Sequence, residues 1–323
     1  MRIARWESAG ERRDGFVIAD RVVPFPDGLT VADVLPGGIA ALRGLFDRVA
    51  DAPGEALADV RLLAPVDPPA VRDFVAFEEH VEGVSAGVEG KSDVAAEWYE
   101  APTFYFTNPH TVLGPEDPVV PPVTQRLDFE LEVAVVIGGV EGSDGVDLDP
   151  DRAAGHIFGY TIMNDWSARD LQAREMKVRL GPCKGKDFGT TLGPWIVTAD
   201  ELEPYLDDDG FLAVRAEAYI NDQRVGEDLV SNMGWPFPEL VAYASRNSRV
   251  VPGDVLGSGT VGNGGCLGEL WGRGSTLPPL AKGDRVRLVV EGIGEITGRV
   301  GAPRPTPDLP PARTRSRARA RAR

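Results

Sequence analysis

Two glutamates, Glu130 and Glu132, stand in an otherwise apolar segment and are well suited to metal or acid–base chemistry. The segment 127–139, LDFELEVAVVIGG, alternates as a strand does. Its two faces would carry Leu131, Val133, Val135 and Ile137 on one side, and Glu130, Glu132, Ala134 and Val136 on the other. A strand apolar on both faces lies in the interior, where unpaired carboxylates cost several kcal/mol each. We therefore expect a positive group between the glutamates, either a cation or Lys/Arg partners, unless the strand end emerges into solvent.

Two further acidic residues are candidates for the same site. Asp165 ends the apolar run FGYTIMND just before the helix-like SARDLQAREMK, where a helix N-cap is the simpler explanation. Asp73 lies seven residues before His80 in VRDFVAFEEHVEG (71–83), so a helix over this segment would place both on one face. His80 itself could equally be a surface histidine. Carboxylates without a Cys/His cluster favour Mg²⁺, Mn²⁺ or Ca²⁺ over zinc.

The elements that must position these residues predict an α+β, mostly β protein. Residues 1–63 predict a small N-terminal α+β domain, and the Pro-rich APVDPPA (64–70) an extended connection. Residues 64–303 contain many short strand-like pieces separated by Gly, Pro and Asp, which is typical of a mixed β-sandwich or roll. The Arg/Pro-rich tail, 304–323, is expected to be disordered.

Composition argues against several classes of protein. The net charge is −16, and because the tail contributes seven Arg and one Asp, the remaining body is still more acidic, which disfavours nucleic acid as a partner. Cys183 and Cys266 have neither disulfide nor zinc spacing. No apolar run approaches the ~18 residues of a membrane span, so a cytoplasmic protein is expected. The GxGxxG match at 257–262 is not followed by a helical pattern and does not predict a dinucleotide site.

Four segments together resemble the signature of the fumarylacetoacetate hydrolase family. They are RLDFELEVAVVIG, GYTIMNDWSARDLQ, LGPCKGKDFGTTLGPWIV and GDVLGSGTVGNGGCLGELW, and the resemblance covers residues 64–300. It implies a fold of that family and a bound Mg²⁺, Ca²⁺ or Mn²⁺. The implied metal ligands are Glu130, Glu132 and Asp165, with Asp73 as a fourth, as in the fumarylacetoacetase branch.

The same resemblance implies the catalytic groups. His80 corresponds to the catalytic histidine and Glu269 to the glutamate that pairs with it. Three residues are implied to hold a developing oxyanion: Arg169, Gln172 and Lys186. Thr260 is implied to contact the substrate. Arg169 and Gln172 are i and i+3 on the predicted helix and can converge, although an isolated Gln172 would be an ordinary solvated residue.

Two departures from the family pattern leave the substrate open. The segment after His80, EGVSAGVEGKSDVAAEWYE, lacks the arginine that holds the substrate carboxylate in fumarylacetoacetases, and Val75 replaces a tyrosine of the pocket. The glycine-rich stretch 82–93 predicts either a mobile lid or a passive loop. In a lid, Lys91 would supply the missing contact to the substrate.

The resemblance implies hydrolysis of a C–C bond in a small 1,3-dioxo or acylpyruvate-type acid, with water activated by the His80–Glu269 pair. Decarboxylation, hydration or isomerisation on the same metal site is the alternative, and a non-catalytic binding protein is a further one. The family resemblance also predicts a homodimer.

Overall fold

The structure is a computed structural model that describes residues 1–89 and 94–312, with residues 85–89 described by their backbone only. Lys91 and residues 313–323 of the tail lie outside the described residues. Residues 305–312 form no regular element, and the Arg304 N–H donates to the Pro121 carbonyl at 2.9 Å.

The described residues form eighteen strands and eight α-helices. The strands are β1 (Arg2–Ser8), β2 (Glu11–Ile18), β3 (Arg21–Pro24), β4 (Glu55–Ala56), β5 (Arg61–Leu62), β6 (Val71–Phe74), β7 (Phe104–Thr107), β8 (Val112–Leu113), β9 (Leu127–Asp128), β10 (Leu131–Ile137), β11 (Ile157–Asp165), β12 (Ser167–Ala168), β13 (Thr190–Thr198), β14 (Arg215–Ile220), β15 (Gln223–Leu229), β16 (Val255–Gly257), β17 (Arg285–Val290) and β18 (Gly294–Arg299). The helices are α1 (Val31–Val34), α2 (Gly38–Val49), α3 (Glu78–Glu89), α4 (Pro150–Gly155), α5 (Arg169–Met176), α6 (Ala199–Leu202), α7 (Phe237–Ser245) and α8 (Leu267–Gly272).

Most strands belong to one mixed sheet of twelve, which confirms the mostly β prediction. Its main path runs β4-β3-β2-β1-β13-β11-β10-β16-β6-β7, while β5 pairs with β1 and β8 with β13. A four-stranded sheet, β15-β14-β17-β18, and the pair β12-β9 complete the strands. Strand β10 therefore lies in the interior of the large sheet, as its apolar composition predicts.

Each side of β10 packs into a different hydrophobic core. Leu131 and Val133 belong to a core shared with the four-stranded sheet, whereas Ala134 and Val136 belong to a core shared with α1 and α2. This confirms the predicted alternation. Glu130, however, precedes β10 in a break between β9 and β10, so the segment 127–139 is not one continuous strand.

The N-terminal residues share both sheet and core with the rest of the chain. Strand β1 pairs antiparallel with β13, and Phe16 and Leu42 pack in the same core as Ala134. Helix α1 begins at a capping box in which Thr30 and Asp33 bond each other's backbone N–H groups. One sheet thus crosses residue 63, and the division into two domains there stays a prediction.

The helical interpretation of 71–83 is wrong for residues 71–77. Val71–Phe74 form β6, which is buried on both faces and pairs in parallel with β16, and α3 begins only at Glu78. The seven-residue spacing of Asp73 and His80 therefore joins a strand to a helix. Residues 82–89 continue α3 and are therefore not a loop, while residues 90–93 lie outside the described residues, and the lid stays a prediction.

None of the helices among the described residues combines the length and apolar character needed to span a membrane.

Candidate active site

Four buried acidic residues meet on the neighbouring strands β6, β10 and β11 and beside them, with β16 between β6 and β10. Asp73 is in β6, Glu132 is in β10, Asp165 ends β11, and Glu130 immediately precedes β10. One oxygen each of Asp73, Glu130 and Glu132 lies within 4.8 Å of the other two. The strand positions place these carboxylates together because β6, β16, β10 and β11 are consecutive in the sheet.

Glu130 is the one carboxylate of this group that is fully paired with cations. Its two oxygens contact Lys186 Nζ and, at 2.8 Å, Arg169 Nη2. Burial alone would raise the pKa of Glu130, but the charges of Lys186 and Arg169 outweigh it and hold the pKa below the usual range. Glu130 is therefore ionised at neutral pH.

Asp73 and Asp165 share a single hydroxyl group. Tyr105 Oη lies 2.8 Å from Asp73 Oδ2 and also contacts Asp165 Oδ2, which is 2.6 Å from Lys186 Nζ. One phenolic proton can be donated to only one carboxylate at a time. Burial first, and then the neighbouring carboxylates, raise the pKa of Asp73 well above its ordinary value; burial also raises that of Asp165, where Lys186 opposes it.

Glu132 has a different environment because it contacts no cation among the described residues. Its Oε2 accepts the Gly259 N–H at 3.1 Å, and burial together with the charge of Asp73 raises its pKa well above the ordinary value. A Cβ at Gly257 would lie 2.6 Å from Glu132 Oε2, and Gly259 has φ +82°. The glycines of the 257–262 motif thus make room for this carboxylate.

These residues fit a divalent cation. One oxygen each of Asp73, Glu132 and Asp165 is buried and has no hydrogen-bond partner in the described part of the chain. Unpaired buried carboxylate oxygens cost several kcal/mol, and oxygen-only ligands suit Mg²⁺, Mn²⁺ or Ca²⁺. Asp165 does not cap α5, whose N-cap is Ala168, so the N-cap interpretation of Asp165 is wrong.

Arg169, at the start of α5, and Lys186, in the loop that follows α5, both reach Glu130. Asp128 accepts from Arg169 Nε at 2.8 Å and from the first backbone N–H groups of α8, while Arg169 Nη1 donates to Gln172 Oε1 at 3.1 Å. The predicted convergence of Arg169 and Gln172 is therefore confirmed. Burial opposes the charge of Lys186, but Asp165 and Glu130 keep its pKa above the ordinary value.

The loop that carries Lys186 is tied to α5 by Glu175. The Glu175 carboxylate accepts the backbone N–H groups of residues 183, 184 and 185 at 2.9, 2.9 and 3.1 Å. Successive backbone N–H groups around one anion form a rigid nest. Glu175 thus fixes Lys186 relative to Arg169 and Gln172.

His80 lies on α3 and is buried, but its nearest polar partner is Cys266. His80 Nδ1 is 3.7 Å from Cys266 Sγ, and the Cys266 sulfur also accepts the Glu269 N–H at the start of α8. Burial, opposed by the charge of Glu130, lowers the pKa of His80 to about 4. The imidazole is therefore neutral at pH 7.

Glu269 is buried beneath α3, the helix that carries His80. Among the described residues no hydrogen bond or ion pair joins the two, and Glu269 Oε1 instead lies 3.0 Å from Arg273 Nη2. A Cβ at Gly83 would lie 2.4 Å from Glu269 Cγ, so α3 passes close over this side chain. The His80–Glu269 pair stays a prediction.

One cavity of about 370 Å³ brings most of the predicted residues together. The predicted residues that line it are Asp73, His80, Glu130, Glu132, Arg169, Gln172, Lys186 and Thr260. Asp165 does not line the cavity but contacts Lys186 and Tyr105, which do. Glu269 is buried and does not line it, and Lys91 is outside the described residues.

Sequence reasoning missed Tyr105, Asp128 and Cys266. Tyr105 reaches the carboxylates because β7 pairs with β6 and places Tyr105 directly opposite Asp73. That pairing is not visible in the sequence. Asp128 could have been found, since it is a third acidic residue in LDFELE, two positions before Glu130. His156 bonds the Gly138 carbonyl and Ser143 and does not line the cavity.

Comparisons with known proteins identify a family for this chain. The family model for the fumarylacetoacetate hydrolase C-terminal domain matches residues 70–301. The chain is 31% identical to a fumarylacetoacetase of Arabidopsis thaliana over 298 residues, 75% of this chain and 70% of that protein. It is 29% identical to the oxaloacetate tautomerase YisK of Bacillus subtilis over 249 residues, 76% of this chain and 74% of that protein.

A solved structure has the same fold. The crystal structure of a maleylpyruvate hydrolase from Sphingobium sp. SYK-6, with manganese(II) and pyruvate, superposes with a TM-score of 0.69 and 22% identity. The match covers 94% of this chain and all of that one.

Proposed function

This chain belongs to the fumarylacetoacetate hydrolase family, and we propose that it is a divalent-cation-dependent hydrolase that cleaves a C–C bond of an acylpyruvate-type 2,4-dioxo acid. The family is metal-dependent and includes hydrolases, isomerases and tautomerases. The observation that carries the proposal is a cavity in which buried carboxylate oxygens without hydrogen-bond partners lie beside an uncharged histidine.

The residues that would hold the cation are Asp73, Glu130, Glu132 and Asp165. Mg²⁺ is the first candidate, and Ca²⁺ and Mn²⁺ are the others. The chemistry that such an ion supplies is Lewis-acid polarisation of a carbonyl oxygen, worth several kcal/mol.

His80 is the proposed general base. Because its imidazole is neutral at pH 7 and lines the cavity, it can accept a proton from water that attacks the acyl carbonyl. The hydroxyl of that water then stays on the acyl carbon, the C–C bond breaks, and the proton passes from His80 to the departing carbon. The products are a carboxylic acid and a 2-oxo acid.

Lys186 and Gln172 retain hydrogen-bond donors for a developing oxyanion. An ammonium group has three protons, and Glu130 and Asp165 accept from Lys186 Nζ, which leaves one for substrate. The Gln172 carbonyl accepts from Arg169, so its amide NH₂ is oriented and both protons stay available. Donors fixed in advance are the arrangement that stabilises transition-state charge.

Turnover of a 2,4-dioxo acid panel tests this proposal. Loss of the enol absorbance would be followed with Mg²⁺, Mn²⁺ or Ca²⁺ and with chelator, and the carboxylic acid and 2-oxo acid would be quantified. Cation-dependent formation of both products in equal amounts is expected, with a loss of about 10²-fold or more in His80→Ala. Val178→Ala, at an exposed position outside the cavity, is the control. Cleavage at full rate in chelator would contradict the proposal.

Tautomerisation of a 2-oxo diacid is the second candidate. The similarity to an oxaloacetate tautomerase favours it, and so does the lack of a described hydrogen bond between His80 and Glu269. In the same assay, keto–enol interconversion without release of a carboxylic acid would decide for it. The homodimer and the cytoplasmic location also stay proposals, and light scattering would test the first.

A further inference from the structure

The cavity has an apolar wall that the chemistry proposed above does not use. Its side chains are those of Val75, Val81, Val84, Phe104 and Met176. They come from three elements and one loop, so the wall is not an accident of a single segment. Met176 is 51% exposed, which places the wall's outer end at the mouth of the cavity.

On both helices that line the cavity, α3 and α5, a proposed active-site residue is followed one turn later by an apolar residue. Val84 comes four residues after His80 on α3, and Met176 comes four after Gln172 and seven after Arg169 on α5. Residues at these spacings share a helix face. With a rise of about 1.5 Å per residue, the apolar wall begins roughly 6 to 10 Å from the catalytic groups.

The cations of the cavity are already engaged at its other end. Arg169 and Lys186 are the charged donors among the described residues that line it, and both pair with Glu130. A carboxylate placed against Val84 would therefore be desolvated without a described partner, whereas one that extends past Met176 would reach solvent at the mouth.

From this division we infer that the substrate is a 2,4-dioxo acid whose acyl end is an uncharged, apolar chain rather than a second carboxylate. The inference rests on the proposed function and names its substrate class. The dioxo acid end would face the carboxylate cluster, and the acyl chain would lie along Val84 and Met176. The rival outcome is a diacid held by Lys91, which lies outside the described residues.

Two matched series of 2,4-dioxo acids test the inference. One carries saturated acyl chains of increasing length, and the other carries a terminal carboxylate at equal length. We expect kcat/KM to rise about fourfold for each added methylene until the wall is covered. Diacids whose second carboxylate stops short of Met176 should be poorer by about a hundredfold or more, because that charge is desolvated without a described partner. Diacids of this length that equal or exceed the monoacids would overturn the inference.

Variants of the wall provide the second arm. Val84→Lys and Met176→Lys each add a cation to one helix, and both should raise the diacid-to-monoacid ratio of kcat/KM by about tenfold. Met176 is half-exposed, so its variant should fold even if Val84→Lys does not. Val178→Lys, two positions further and 75% exposed, adds the same charge outside the cavity and should leave the ratio unchanged. An unchanged ratio in the folded wall variants would overturn the assignment of the wall.

Binding separates this inference from the proposed function. Calorimetry with Mn²⁺ would compare 2-oxohexanoate with 2-oxohexanedioate, neither of which has the scissile bond. Preference for the monoacid, without turnover of any dioxo acid, would support the wall while removing the proposed hydrolysis. Preference for the diacid, or no binding of either acid, would overturn the inference even if dioxo acids are hydrolysed.

Discussion

Replacing Glu269 by Gln tests the electrostatics behind the active site. The Glu269 side chain is fully buried, neither oxygen has a hydrogen-bond donor among the described residues, and the nearby Arg273 is 41% exposed. Burial, opposed by Arg273, raises the pKa of Glu269 from 4.5 to about 7. Gln has nearly the same shape and does not titrate, so Glu269→Gln isolates the cost of this charge.

The sign and size follow from linkage between protonation and folding. Because the folded-state pKa is the higher one, the native state binds the proton more tightly, and stability falls as the pH rises from 4.5 towards 7. A shift from 4.5 to 7 corresponds to about 3 kcal/mol at 1.36 kcal/mol per unit. Between pH 5 and pH 8 the expected change is about 2.5 kcal/mol, or about 5 °C in Tm for a chain of this size.

The assay compares the Tm of Glu269→Gln with that of the wild type from pH 5 to pH 8 in chelator. The variant should gain about 5 °C relative to the wild type across this range, since a pH-independent difference cancels. Glu203→Gln, at an exposed glutamate, should run parallel to the wild type. A Tm difference that does not change with pH would show that Glu269 is not a buried titrating group. Full activity in the variant would also remove Glu269 from the proposed pairing with His80.

Three further predictions concern the metal site, the Lys186 loop and the tail. Glu132→Gln keeps the volume of the side chain but removes an unpaired ligand oxygen, so Mn²⁺ should no longer raise Tm; an unchanged Mn²⁺ affinity would place the ion elsewhere. Glu175→Ala should speed hydrogen exchange at the amides of residues 183–185 and lower kcat about tenfold or more, with Arg174→Ala as control; normal protection would contradict the nest. Removing residues 305–323 should change Tm by less than about 1 °C; a larger loss would mean that the tail docks.

The parts of the site that the sequence predicts are those set by local geometry. Alternation along β10 places Glu132 on a definite face, and the helical spacing in α5 brings Gln172 to Arg169, because both depend on residues a few positions apart. The helical interpretation of Val71–Phe74 is wrong because a short apolar stretch is compatible with a helix or a strand. Its pairing with β16, more than 180 residues away, decides the outcome.

The partner of His80 shows a second limit. Cys266 and Glu269 stand three positions apart at the start of α8 and both lie on its side towards α3, so the rotation of that helix decides which of them meets His80. Asp128 sets the rotation by accepting the first backbone N–H groups of α8, and this turns the Cys266 sulfur towards His80 Nδ1. A contact decided by a third residue more than 130 positions away cannot be derived from spacing.

The charges of the cluster connect metal affinity with pH. Glu130 is neutralised by Lys186 and Arg169, whereas the raised pKa values of Asp73, Glu132 and Asp165 show that the protein alone does not compensate these three charges. A divalent cation binds the ionised carboxylates, so its binding must release whatever protons they hold. Affinity for the cation should therefore rise with pH. The Lys186–Glu130 pair keeps one ligand ionised at neutral pH, so Glu130 needs no deprotonation when the cation binds.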